Sequence, residues 1–147
     1  MSTTAGVFAR NHVPYLNRAS AQPGRRAIFR SQIRWSGARD LLKRYDSVYV
    51  YLCPIPGNGM VEFAGRLVDV ELDPSEASMA ALMGRTGARN VAPGETLWDG
   101  ACKTLYVVEI ERLDKPFPMT ELKKLSDGTP ISADYGYSYC LVRERGL

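Results

Sequence analysis

The chain has a single histidine, His12, in 147 residues, and that scarcity narrows the chemistry open to it. A Ser-His-Asp or Cys-His nucleophilic unit needs an oriented imidazole as its base. His12 lies in a stretch without visible periodicity, so His-based catalysis is not expected, and sites built from two or three histidines are excluded outright. The three cysteines, Cys53, Cys102 and Cys140, are odd in number, widely spaced and free of any CxxC pair. Neither a disulfide framework nor a zinc site can be drawn from them, and a reduced, cytoplasmic setting fits. No apolar run approaches the ~20 residues of a membrane helix, and the opening MSTTAGVFARNHVPYLNR has no apolar signal-peptide core. Gly57, Gly59 and Gly65 form neither GxGxxG nor a P-loop; they read as hairpin chemistry. No cofactor, metal or membrane partner is expected, and the chain is expected to be a monomer.

Acid is scarce in one region only. Residues 1–45 carry nine Lys/Arg against Asp40 alone, a net +8, whereas the remaining 102 residues carry ten bases and fifteen acids, a net −5. Segregation of this kind creates a positive face that attracts polyanions; the plainer alternative is a solvated basic tail. Residues 1–25 end in the turn signal QPGRR and read as a basic, partly disordered arm. Residues 26–147 then form one domain, long enough to bury a core.

Within that domain Ala27 to Arg30 reads as a short strand. Ser36 caps a helix whose Ala38, Leu41, Leu42 and Tyr45 recur at helical spacing, with Arg39, Lys43 and Arg44 outside the stripe. SVYVYLCPI alternates with both faces apolar or aromatic, the pattern of a central strand covered on both sides. PIPGNGM turns it into VEFAGRLVDVELD, where Gly65 marks a bulge or a close approach. A short helix in PSEASMAALMGRTGARN stops near Gly84, TLYVVEIERL is a third strong strand, and Thr120 caps one helical turn. Tyr137 to Val142 closes the sheet. This order suits an α+β fold with a curved, mostly antiparallel sheet of five or six strands.

The stretch AIFRSQIRWSGARD poses the functional question. Either Trp35 plugs the core and its polar neighbours form a turn, or these residues line a pocket. Trp35 and Trp98 both lie at element boundaries, where loops gather over a sheet rim, and aromatic rings there can stack a base for about 1–3 kcal/mol each. Trp is also highly buried on average, which favours core. The carboxylates Glu62, Asp69, Glu71, Asp73, Glu109 and Glu111 sit at alternate strand positions and read first as the wet face of a sheet. Cys102 beside Lys103 has no visible base to activate it.

Three segments together resemble the PUA-like superfamily, closest to its EVE and YTH branches. IFRSQ is similar to the opening strand of those domains. DSVYVYLCPIPGNGMVEFAGRLVDV, with Phe63 and Gly65 in its Phe-x-Gly, resembles their central hairpin. LWDGACKTLYVVEIERLDKPFPMTEL resembles their later stretch, so the likeness spans about Ile28 to Leu125. It implies a PUA-like barrel that reads a modified or flipped base in an aromatic cage, without catalysis. Carried over, Trp35 and Trp98 become cage walls, Ser31 and Gln32 bond the base edge, and Tyr51 closes the pocket. Arg30, Arg34, Arg39, Lys43 and Arg44 would then hold phosphates of DNA or RNA. Two alternatives stay open: a small ASCH-like amidohydrolase using Lys103, Thr104 and Glu109, and an interaction module whose basic arm docks an acidic protein.

Overall fold

The computed structural model describes residues 4–91 and 102–147. Seven strands form one mixed sheet: β1 (Thr4–His12), β2 (Arg26–Ser31), β3 (Ser47–Ile55), β4 (Met60–Leu72), β5 (Arg89–Asn90), β6 (Thr104–Pro118) and β7 (Tyr139–Val142). Helix α1 (Val13–Ser20) follows β1, α2 (Ser36–Arg44) follows β2 and α3 (Glu76–Thr86) follows β4. The spatial order is β5-β2-β6-β4-β3-β1-β7. β1 runs parallel to β3, and β2 parallel to β5, while the other four pairings are antiparallel. The α+β class and the mostly antiparallel sheet agree with the sequence pattern. The strand count is higher than expected, and the sheet does not close into a barrel.

The largest departure is at the N-terminus. Residues 4–20 form a strand and a helix inside the fold instead of an extended arm, and β1 lies between β3 and β7. The strand shows no polar/apolar alternation in sequence because it is buried on both faces. Ala5, Val7, Phe8 and Ala9 are fully buried, and a Cβ on Gly6 would stand 2.7 Å from the Tyr51 ring. Burial on both faces erases the alternation that a sequence pattern relies on.

The alternation of β3 holds as read. Val48, Val50 and Leu52 enter one apolar cluster with Trp35, Ala38 and Leu41 of the α2 segment and with Leu16 and Ala19 of α1. Tyr51 and Cys53 enter another on the opposite face, with Phe8, Val61, Phe117 and Leu122. Under β2 and β6 that opposite face is covered by Met79 and Leu82 of α3, packed on Ile28, Leu105 and Val107. Glycine Gly65 marks a close approach, as expected: it pairs with Ile110, and a Cβ there would lie 1.7 Å from the Glu109 carbonyl oxygen. Helix α3 runs past Gly84 to Thr86 and stops where Gly87 adopts a left-handed conformation (φ 72°), the usual helix-ending geometry.

Burial on this sheet has a titratable consequence. Loss of solvation pushes the Tyr51 hydroxyl up to about 12 and the Cys53 thiol up to about 12. The folded chain keeps these protons where the unfolded chain, at ordinary values of 10.0 and 9.0, releases them. Their contribution to stability is therefore complete below about pH 9 and is lost as pH rises toward 12. Thermal melts across that window are expected to show a Tm falling steadily on the alkaline side; a flat profile would contradict the burial of both groups.

Candidate functional site

Although the sheet is open, it curls until strands far apart in its order meet. Asn11 at the end of β1 donates from Nδ2 to the Arg30 carbonyl at 3.4 Å, near the end of β2. The same amide donates to the Tyr106 hydroxyl at 2.8 Å, and the Asn11 side-chain oxygen accepts the His12 N–H. Burial raises the Tyr106 hydroxyl's pKa, so it stays a neutral partner. Asn11 thus pins the ends of β1 and β2 against the β6 tyrosine.

A cleft of about 770 Å³ opens above this junction, within the ~300–1,000 Å³ typical of small-molecule sites. The ends of β1, β2 and β3 supply Arg10, His12, Arg30, Ser31, Gln32 and the cis-linked Pro56. The first turn of α1 adds Tyr15, and Arg18 follows from its last turn. Cys102 and Ser138 also belong to the described lining. Arg10, Arg18 and Arg30 are joined by no Asp or Glu among the described lining residues. Helix α1 begins here with His12 at the N-cap, a proline in its first turn, no side-chain cap and no acid in that turn. Its dipole adds positive potential at the cleft floor.

Tyr15 organises the cations. The guanidinium carbons of Arg18 and Arg30 each stand 5.7 Å from its ring centroid, and Arg30 Nη2 donates to its hydroxyl at 3.2 Å. His12 meets the same ring edge-on at 5.9 Å. Arg18 is held by donation to the Val91 carbonyl at 2.9 Å. Such cation–π and hydrogen-bonded contacts hold guanidinium planes in place before a ligand arrives. The cleft therefore presents fixed donors to an anion beside a flat aromatic surface.

The residues anticipated from sequence divide. Arg30, Ser31 and Gln32 line the cleft. Trp35 does not: it is 1% exposed, stacked on Tyr106 at 3.9 Å and tilted against Tyr139 at 5.0 Å. The polar residues around it build the turn that drives the ring inward. Ser31 Oγ accepts the Ile33 N–H; Thr104 Oγ1 donates to the Ile33 carbonyl and accepts the Trp35 N–H at 2.9 Å. AIFRSQIRW thus carries a core tryptophan, and Arg30, Ser31 and Gln32 before it belong to the cleft lining.

Tyr51 is likewise 1% exposed and on the opposite face from Val50. Its hydroxyl donates to the Arg145 carbonyl and accepts the Arg145 N–H, so it anchors the C-terminal segment and closes no pocket. Trp98 lies outside the described residues. Arg34 stands away from the cleft lining and pairs with Asp73 at 3.1 Å; Arg39, Lys43 and Arg44 are exposed on α2. Lys103, Thr104 and Glu109 are not assembled as a catalytic trio. Thr104 is fully buried in the turn just described, and Glu109 bonds Arg66 at 2.9 Å and Arg26 at 3.1 Å. Those two cations hold its carboxyl below the usual carboxylate range.

Sequence pattern alone leaves Arg10, His12, Tyr15 and Arg18 within a basic arm and assigns them no site. The usable signal was local: RNHVPYLNR places Pro14 at a helix start, and Arg18 lies four residues beyond it, on the same side of that helix.

Among the described residues no three His, Cys, Asp or Glu side chains gather as a metal site, and no helix is long and apolar enough to cross a membrane. No protein-family model matches the chain. No curated protein matches its sequence.

Proposed function

We propose that the chain is a non-catalytic nucleic-acid-binding module that admits one nucleotide, extruded from its strand, into the arginine cleft. The observation that carries this reading is the gathering of Arg18 and Arg30 around Tyr15 in a cleft that Arg10 also lines. Phosphate supplies the affinity through these cations and the α1 N-terminus. The flat face of a base finds Tyr15 and His12, and its edge finds Ser31 and the exposed Gln32. The aromatic walls thus differ from those that the PUA-like resemblance implies, while its Arg-Ser-Gln segment keeps its place. An incompletely closed PUA-like sheet is the finer fold reading that accompanies this function. The exposed Arg39, Lys43 and Arg44 of α2 extend the positive surface for flanking phosphates.

The test is calorimetric titration with nucleoside monophosphates, short single-stranded DNA and RNA, and poly-glutamate as an acidic peptide. Nucleotides and oligonucleotides are expected to bind and poly-glutamate to compete weakly. Arg18→Glu is expected to weaken nucleic acids of every sequence alike and to lower the slope of log affinity against log salt by about 1, one phosphate contact's share. Equal binding of poly-glutamate, or affinity indifferent to Arg18→Glu, would refute the reading.

A further inference from the structure

We infer that Tyr137 is a stacking platform for the nucleotide next to the extruded one, so the ligand class is a single strand and not a free mononucleotide. The inference rests on the cleft reading above and extends it beyond the cleft. Tyr137 is the most exposed aromatic side chain among the described residues, at 69%. An exposed tyrosine in a loop is ordinarily unremarkable, but the backbone that carries this one is held in place. Arg10 donates from its guanidinium to the Tyr137 carbonyl, and the Arg10 N–H donates to the Ser138 carbonyl at 3.2 Å. Both anchors come from a residue that lines the cleft, and so does Ser138 itself. The Tyr137 ring is braced edge-on by Tyr135 at 5.6 Å. Tyr135 in turn meets Phe8 at 6.1 Å, and its hydroxyl donates to the Tyr139 carbonyl at 2.9 Å.

An exposed aromatic ring, next in the chain to a residue that lines a cationic cleft, suits base stacking. It gains π-contact with any base and loses little side-chain entropy on binding. A mononucleotide seated in the cleft leaves that face empty, whereas a dinucleotide or longer strand covers it. The strand would leave the cleft past Ser138 and lay its next base on the Tyr137 ring.

The experiment compares a nucleoside monophosphate with a single-stranded tetranucleotide on wild type, Tyr137→Ala, Tyr137→Phe and Arg18→Glu. Expected are tighter tetranucleotide than monophosphate binding by wild type and a loss of roughly 5- to 150-fold for the tetranucleotide in Tyr137→Ala, the range of one stacked base. Monophosphate affinity should be unchanged in that variant, and Tyr137→Phe should restore the tetranucleotide. Equal losses for both ligands would place the effect on Arg10 and overturn the inference, as would a tetranucleotide indifferent to Tyr137→Ala. In either case a retained response to Arg18→Glu leaves the cleft reading standing; loss of that response as well removes both.

Discussion

Trp35→Ala is expected to destabilise the chain by about 3–5 kcal/mol, the usual cost of deleting a large buried aromatic. The ring is almost fully enclosed and sits on Tyr106 at 3.9 Å with 16° between planes. Its removal also uncovers Tyr139, whose hydroxyl accepts the Ala38 N–H at the start of α2. In a chain of this size each kcal/mol moves Tm by about 2–4 °C, so a fall of roughly 6–20 °C follows. The indole Nε1 has no hydrogen-bond partner among the described residues, so Trp35→Phe loses area but no described hydrogen bond and should fall between wild type and the alanine variant. Differential scanning calorimetry of the three proteins checks the order. Nucleotide affinity of whatever folded fraction remains should be close to wild type, because the ring does not line the cleft. A stable Trp35→Ala protein that lost binding would move the tryptophan from the core to the site.

Gly65→Ala is expected to be at least as damaging, although it adds one carbon. Gly65 pairs with Val50 on β3 and Ile110 on β6, so backbone flanks it on both sides. The added Cβ would meet the Glu109 carbonyl oxygen at 1.7 Å and its carbonyl carbon at 2.6 Å. No rotamer relieves a clash with main chain; the β4–β6 ladder itself must part. Ordinary overpacking costs about 1–3 kcal/mol, and a clash that displaces a central ladder belongs at or above the top of that range. The Glu109 carboxylate, bonded to Arg66 and Arg26 across β4 and β2, would shift with it. Chemical denaturation of Gly65→Ala, with Gly84→Ala as control, tests this. At Gly84 the added carbon meets no described atom outside its own helix backbone within 4 Å, and alanine in a helix interior is favoured over glycine by about 1 kcal/mol. The two alanines should therefore act in opposite directions.

Local pattern and long-range packing contributed differently to what could be read. The β3–β4 hairpin was legible because its signals are local: alternation over Val48 to Cys53, a Pro/Gly turn, and a glycine in the returning strand. Helix α2 was legible from the spacing of Ala38, Leu41 and Leu42, though its cap falls one residue earlier, at Trp35. Strand β1 was not legible. Its partners, β3 and β7, are distant in sequence, and burial on both faces leaves it no alternation. The cleft was half legible. Arg30, Ser31 and Gln32 follow a recognisable strand, but Arg10 and Arg18 join them only because β1 crosses to β2 at Asn11.

The sequence by itself determined the composition of the site and the character of the core. It concentrated base in residues 1–45, withheld histidine and paired cysteine, and set apolar side chains on both faces of β3. Those properties are carried by residue types and their period, which no later folding step can change. Only the tertiary structure decided which of those residues meet. Trp35 and Tyr51, aromatic and next to polar or exposed positions, went into the two faces of the sheet because burying a large ring outweighs any local preference. Arg10, Arg18 and Arg30, spread over twenty-one positions of chain, became neighbours because a curled sheet brings the ends of its first two strands together. Distance along the chain carries no information about such a meeting; the curl of the sheet does.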